Sequence, residues 1–286
     1  MFHWKKRVDS IYKVAVYGLG TLLFLGVPAL GVAESNDCYA SIPYGKKVET
    51  IPSRAFYLII DQTIPISEKM ASRIKELVSD WGQTGDMVKI IRFSANYRDQ
   101  YPEIVFSRTI EPAPTQDFLY NLRYSDKPLL LDCIQKSNEN FNASFHETLN
   151  KAIKDINPKT PKTDILYSLK QIAVQIVAKD VAKRKIVLIV SDGMENSEVA
   201  SFYRRKSLAK FDSRKIFQKA RRSGLVANWD NAQIYFYGLG LSSDSKRYGS
   251  MSKIENLRLF WERIFIEGRA NIGAIGAPEL LISSIK

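Results

Sequence analysis

Lys185-Ile186-Val187-Leu188-Ile189-Val190-Ser191-Asp192-Gly193 is the stretch of sequence that decides the fold. Five consecutive apolar residues, four of them β-branched, are followed at once by a polar turn that carries a carboxylate. A short unbroken apolar run of this kind is typical of a strand buried on both faces, as in a parallel sheet. Asp192 then follows the carboxyl end of that strand, which is where open α/β sheets bind their ligands.

A second stretch repeats this arrangement earlier in the chain. The apolar run at 55–60 leads directly into Asp61-Gln62-Thr63. Because the carboxyl ends of parallel strands meet at the same edge of a sheet, the two aspartates and the neighbouring hydroxyl groups are expected to lie close together. The sequence therefore predicts one shared site that is rich in oxygen atoms.

Strands and amphipathic helices alternate along the rest of the chain. The apolar patterns predict strands at 55–60, 87–93, 103–110, 186–190, 233–239 and 279–285. They predict helices at 66–81, 165–176, about 200–223 and 254–265, and two shorter ones at 129–134 and 141–153. Thr163 and Asp164 stand where a side chain caps the first turn of a helix.

This alternation predicts a doubly wound α/β fold, with a mostly parallel sheet and helices on both faces. The strand at 103–110 follows its predecessor after a short connection, so it is expected to be an antiparallel edge strand. We predict one domain over 54–286, with a helical insert near 117–157 and an irregular lead-in segment at 34–53. An apolar content of 45% and a charged content of 25% are ordinary for a globular protein.

Residues 1–33 have the features of an export signal. Lys5, Lys6, Arg7 and Lys13 precede or enter an apolar stretch that runs to about Ala33, where small residues suit cleavage. The stretch is long for a signal peptide, so a membrane anchor formed by residues 11–33 is the alternative. Export predicts a periplasmic location; the alternative predicts attachment to the inner membrane.

Cys38 and Cys133 are the two cysteines of the chain, and both follow the export signal. An even number of cysteines in an exported protein is consistent with a disulfide. The alternative is a pair of buried free thiols.

The formal net charge of +12 is partly concentrated in a basic segment at 203–222. Such a segment either is a solvated helix face or binds an anionic membrane surface, nucleic acid or an acidic protein. Export makes nucleic acid the less expected partner. The basic residues are Arg204, Arg205, Lys206, Lys210, Arg214, Lys215, Lys219, Arg221 and Arg222.

The sequence contains little that favours an enzyme. His146 is the one histidine beyond residues 1–33, and no cysteine–histidine spacing typical of zinc sites occurs. No pairing of a nucleophile with a base is evident either. We therefore predict a binding protein without catalytic activity.

The order of motifs resembles that of von Willebrand factor A-type (vWA) domains over most of residues 54–268. In that family, three loops at the carboxyl ends of the strands form a metal-ion-dependent adhesion site. The first loop has the pattern Asp-x-Ser-x-Ser, the second supplies a threonine, and the third supplies an aspartate, usually before glycine. By this resemblance Asp61 and Thr63 match the first loop, Thr163 the second, and Asp192 the third.

The chain departs from the family pattern at Pro65, which occupies the second serine position. Ser67, two residues later, is the candidate replacement ligand, so the resemblance implies a partly degenerate site. It also implies a module that binds Mg²⁺, or Mn²⁺, and through it an Asp or Glu of a partner protein, in an envelope, secretion or transfer assembly. The alternative is a metal-free structural module that docks through its basic segment.

Overall fold

The strands of the main sheet follow the apolar runs of the sequence. In the computed structural model the described residues are 38–42, 52–94, 101–156, 164–204, 207–208, 210–241 and 250–276, and all of them belong to one unit, Ala33–Lys286. Among these residues, six strands form one sheet: β1 (Arg54–Asp61), β2 (Met87–Phe93), β3 (Glu103–Thr109), β4 (Arg184–Val190), β7 (Gln233–Tyr237) and β8 (Asn271–Ile275). Their order in the sheet is β3-β2-β1-β4-β7-β8.

Strand β3 pairs antiparallel with β2 at one edge, and the other pairings in this sheet are parallel. The predicted fold class is therefore confirmed. The chain passes from β1 to β2 on one side and later returns to β4 on the other side of β1. The sheet thus has its topological switch point between β1 and β4, which is where ligands bind in folds of this type.

Helices cover both faces of the sheet. They are α1 (Glu68–Trp81), α3 (Asp126–Lys154), α4 (Ile165–Ile172), α5 (Ser213–Arg222) and α6 (Met251–Glu267), and a π-helical turn, Ala173–Val177, continues α4. The short helix α2 (Gln116–Asn121) packs instead in a small cluster around Cys38. Side chains of β1 alternate between two cores. Tyr57 and Ile59 pack with α4 and α6, whereas Leu58 and Ile60 pack with α1 and α3.

Three predictions about local structure were incomplete or wrong. The two short helices predicted at 129–134 and 141–153 are one helix, α3, which no proline or glycine interrupts after its first turn. The basic segment is helical only from Ser213, because Asp212 caps α5 by accepting hydrogen bonds from the N–H groups of Arg214 and Lys215. Before it, β5 (Tyr203–Arg204) and β6 (Ser207–Leu208) form a short hairpin.

The third point concerns the end of the chain. Strand β8, which pairs parallel with β7, was not predicted, because Asn271–Ile275 contains Gly273 and lacks an unbroken apolar run. The strand predicted at 279–285 and the export signal at 1–33 lie outside the described residues. None of the helices in the described part of the chain is long and apolar enough to cross a membrane.

Candidate metal site

The register of β1 and β4 brings the two sequence motifs together. Ile60 is paired with Val190, so Asp61 and Ser191 are adjacent where the strands end, and Asp192 follows immediately. Both motifs therefore lie at the switch point of the sheet. The prediction that these two strand ends form one polar region agrees with this pairing.

Asp61 is fully buried, and its carboxylate accepts hydrogen bonds from both motifs. Its Oδ1 accepts from the Thr63 N–H (2.9 Å) and from the Thr63 hydroxyl (2.6 Å). Its Oδ2 accepts from the Ser191 hydroxyl (2.7 Å). Burial raises the pKa of Asp61, and the hydrogen bonds from Thr63 and Ser191 act in the opposite direction.

Ser191 was missed as a site residue by the sequence reasoning. Besides donating to Asp61, its Oγ accepts the N–H of Gly193 at 3.1 Å. This hydroxyl joins the end of β1 to the turn after β4. The signal that could have identified it was its position directly before Asp192, at the end of a strand expected to lie beside β1.

The turn that carries Asp192 is fixed by close packing around Gly193. Gly193 has φ +66°, and an added Cβ would lie 2.5 Å from Leu239 Cδ1 and 2.7 Å from Trp261 Nε1. The Trp261 indole N–H also donates to the Gly193 carbonyl (2.9 Å). Asp192 Oδ1 accepts from the Met194 N–H (2.8 Å), so this carboxylate is held against its own turn.

Ser67 is the N-cap of α1 and is exposed. Its Oγ accepts a hydrogen bond from the Met70 N–H (3.2 Å). The structure therefore gives Ser67 a capping role, and its role as a metal ligand stays a prediction. Thr163 lies outside the described residues, although its neighbour Asp164 caps α4 by accepting from the Tyr167 N–H (3.0 Å).

Glu195 links the Asp192 turn to the start of α4. It is fully buried, and its Oε2 accepts from the Leu166 N–H at 2.9 Å. Burial, reinforced by the nearby charge of Asp164, raises the pKa of Glu195 to about 8. The sequence analysis did not identify Glu195, because a glutamate three residues after Asp192 has no distinctive pattern.

The donor atoms of this site suit a hard cation. In the part of the chain that the structure describes, no group of three or more His, Cys, Asp or Glu side chains is placed to hold a metal. The candidate donors are instead two carboxylates and the Thr63 hydroxyl. A hydroxyl that gives its proton to Asp61 can act only as an electron-pair donor toward other groups. Oxygen atoms of this kind fit Mg²⁺ or Mn²⁺ and do not suit softer metals.

The other predicted residues lie away from this site. Cys38 and Cys133 form the predicted disulfide, with a Cα–Cα distance of 5.8 Å. Arg205 and Lys206 lie outside the described residues, and Arg204 belongs to β5. The remaining residues of the basic segment are exposed; the Arg221 side chain pairs with Glu267 (3.1 Å), and the Lys219 side chain donates to the Glu198 carbonyl (2.7 Å).

No protein-family model matches the chain, and no curated protein matches it. Solved structures similar to it include an aerotolerance-related membrane protein from Bacteroides fragilis NCTC 9343, with 14% identity over 80% of this chain and 92% of that one and a TM-score of 0.35. The VWA domain of SpRpn10 has 12% identity over the same shares of the two chains and a TM-score of 0.33. The manganese-loaded TRAP protein of Plasmodium vivax has 9% identity over 73% of this chain and 62% of that one, with a TM-score of 0.35.

The strand order has its switch point between β1 and β4, where β1 ends at Asp61 and Asp192 comes two residues after β4. Helices cover both faces, and the antiparallel strand β3 closes one edge. This chain therefore has a doubly wound α/β fold, with a mostly parallel sheet and helices on both faces.

Proposed function

We propose that this chain is a protein-binding module that engages an acidic residue of a partner through a Mg²⁺ site at the switch point. The observation that carries the proposal is the Asp61 carboxylate, which is buried at the end of β1 and accepts hydrogen bonds from the Thr63 and Ser191 hydroxyls. Asp61, Thr63 and Asp192 would hold the cation, with Thr163 completing the set by the family resemblance.

Each residue has a distinct task in this proposal. Asp61 draws the hydroxyl proton of Thr63 toward itself, so the Thr63 oxygen presents electron density to a cation. Ser191 and Gly193 hold the Asp61 and Asp192 loops together, and Trp261 keeps the Gly193 turn closed. A bound Mg²⁺ would supply a coordination position that a carboxylate of the partner can fill.

The test of the metal site is calorimetric titration of the full chain with Mg²⁺ and with Mn²⁺. We expect saturable binding to the wild-type chain and to the matched control Asp117→Ala, because Asp117 is an exposed aspartate in α2. Binding should be lost in Asp192→Ala and in Thr63→Ala. Equal binding by Asp192→Ala, or no binding by the wild-type chain, would show that the proposed site is wrong.

The partner's chemistry can be tested separately. We expect an immobilised peptide rich in Asp and Glu to retain the chain in Mg²⁺ and to release it when a chelator is added. Retention by the Asp192→Ala chain, or retention that a chelator does not affect, would contradict a metal-bridged interaction.

We further propose that the chain acts outside the cytoplasm, in the bacterial periplasm or attached to the inner membrane there. The Cys38–Cys133 disulfide supports this, because disulfides persist mainly in oxidising compartments. The test is an epitope tag at the carboxyl end of the chain. An antibody should reach the tag when the outer membrane alone is permeabilised. A tag that stays protected until the inner membrane is opened would contradict export.

A second candidate function rests on the basic segment. Lys210, Arg214 and Lys215 are exposed, which suits docking on anionic lipid or nucleic acid. Such binding should weaken steeply as salt rises, and a chelator should not affect it. Binding through the Asp61 site should instead be lost when a chelator is added and should depend less on salt. The double variant Arg214→Gln, Lys215→Gln distinguishes the two candidate functions. If the basic segment is the binding surface, this variant should bind vesicles and oligonucleotides more weakly than the wild-type chain does.

A further inference from the structure

A cavity of about 300 Å³ lies between α1 and α3, on the face of the sheet that these two helices cover. Phe56 of β1 and Val88 of β2, which are paired in the sheet, contribute to its lining. Phe56 lies five residues before Asp61 along β1, so about 17 Å of strand separates the cavity from the candidate metal site. Pockets that bind small molecules start at about this volume.

Three aromatic rings, those of Phe56, Phe141 and Phe145, line the cavity. Phe141 and Phe145 of α3 lie nearly parallel, with an interplanar angle of 5° and centroids 6.1 Å apart. Both rings meet Phe106 of β3 edge to face, at centroid distances of 5.4 and 5.5 Å. Phe56 in turn meets Trp81 edge to face, with centroids 5.9 Å apart. Because each ring packs against another, the aromatic wall is held in place before any ligand binds, and such a wall favours an aromatic ligand.

The polar part of the lining consists of hydroxyl, amide and imidazole groups. They belong to Ser79, Gln83, Thr84, Asn138, Asn142 and His146. Ser79, Thr84 and Asn142 are exposed, whereas Phe141 and Phe145 are buried, so the polar groups lie toward the mouth of the cavity. A ligand whose ring lies inside would therefore place a polar group among hydrogen-bond donors and acceptors.

The lining of the cavity is uncharged in a strongly basic protein. Among the described residues that line it, none is Asp, Glu, Lys or Arg, although the chain has a formal net charge of +12. A charged ligand would lose its hydration in this cavity without gaining an ion pair, which is unfavourable. The lining therefore selects for a ligand without net charge.

We infer that this cavity binds a small uncharged aromatic molecule that carries a hydrogen-bonding group. The ring of the ligand packs against Phe141 and Phe145, and its polar group meets the hydroxyl and amide groups at the mouth. Such a ligand contacts α1 and α3 at the same time, so it stabilises the packing of these two helices. Because the cavity lies at the other end of β1 from Asp61, this binding does not require the Mg²⁺ site of the proposed function.

The test is equilibrium dialysis of the full chain against 2-naphthamide and against 2-naphthoate, with a chelator present so that the proposed Mg²⁺ site stays empty. The two probes have the same ring system and nearly the same size, and they differ in charge. Val78→Phe fills the cavity from its α1 side, and Ser79→Trp adds a large ring at its mouth. Ser72→Trp is the matched control, because Ser72 is also exposed in α1 but lies two turns, or about 10 Å, before Ser79.

We expect the wild-type chain and Ser72→Trp to bind 2-naphthamide saturably and to bind 2-naphthoate about tenfold more weakly or less. Nonspecific binding by a basic chain would instead favour the anion. Val78→Phe and Ser79→Trp should both lose the amide, and Ser79→Trp should fold normally because Ser79 is exposed. The inference is overturned if the wild-type chain does not bind 2-naphthamide saturably, if it binds 2-naphthoate as tightly, or if both cavity variants bind the amide as the wild-type chain does.

Discussion

Gly193 shows how one backbone conformation fixes the candidate site. Its positive φ and the nearby Leu239 and Trp261 side chains leave no room for a Cβ. We expect Gly193→Ala to lower the free energy of unfolding by about 1–3 kcal/mol beyond the cost of the positive φ itself. Urea unfolding of the variant measures this loss.

Gly224→Ala is the control for that prediction. Gly224 also has a positive φ, +63°, but nothing lies within 4 Å of the position that its Cβ would occupy. It therefore reports the conformational cost alone, about 1–2 kcal/mol. Equal losses in the two variants would mean that the packing around Gly193 does not constrain the Asp192 turn.

Glu195 makes the stability of the chain depend on pH. Its pKa is raised from an ordinary value of 4.5 to about 8 in the folded chain. Between these values the unfolded chain binds fewer protons at this group than the folded chain, so stability falls as pH rises. We expect Glu195→Gln to remove this decline, measured as the urea midpoint at pH 5 and pH 8. A decline that persists unchanged in the variant would contradict the prediction.

At the scale of elements, a buried ion pair joins β2 to the segment before β4. Lys89 Nζ lies 2.9 Å from Asp180 Oδ2, and the two side chains are 15% and 3% exposed. Burial opposes ionisation of Asp180, but the bond from Lys89 and other hydrogen bonds outweigh it and hold its pKa below the ordinary value. We expect Lys89→Met to lower the free energy of unfolding by about 3 kcal/mol, because it leaves the buried Asp180 carboxylate without its charged partner.

Thermal unfolding checks the effect of Lys89→Met. The matched control is Lys136→Met, which breaks an exposed pair with Asp132 within α3 and should leave Tm unchanged. If both variants unfold at the wild-type temperature, the Lys89–Asp180 pair does not stabilise the fold.

Helices and strands could be predicted where a single pattern of apolar residues runs through the segment. The unbroken apolar runs of β1 and β4 and the apolar face of α1 were confirmed, since Met70, Ile74 and Trp81 are buried as expected. Strand β8 could not be predicted, because its five residues gain their structure from pairing with β7 and not from their own pattern. The continuity of α3 likewise depends on tertiary packing of Phe141 and Phe145 against Phe106.

The candidate site was predictable only in part, for a related reason. Asp61, Thr63 and Asp192 lie at the ends of β1 and β4, and the apolar runs of these two strands could be recognised in the sequence. The role of Ser191 depends on the register between β1 and β4, and that of Glu195 depends on where α4 begins. Ser67, the candidate ligand two residues after Pro65, caps α1 by accepting a hydrogen bond from the Met70 N–H, a role that its spacing alone did not reveal.

At the scale of the whole molecule, the disulfide closes a long loop. Cys38 and Cys133 are 95 residues apart, and in the chain-entropy model a loop of this length stabilises the fold by about 4–5 kcal/mol. We expect the Cys38→Ser, Cys133→Ser chain to lose stability of this order in urea unfolding. When a reductant is added, the stability of the wild-type chain should fall to that of the double variant. A double variant that is as stable as the oxidised wild-type chain would contradict this expectation.

The same disulfide also determines how the chain transmits mechanical force. Tension in a polypeptide follows the shortest covalent path, and between residue 38 and residue 133 that path is the S–S bond. A pull between the amino-terminal end and the carboxyl-terminal end therefore enters α3 directly and bypasses residues 39–132, which include β1, β2 and β3. While the bond is intact, tension applied at the two ends of the chain does not pass along the backbone of these strands, whereas after reduction it does.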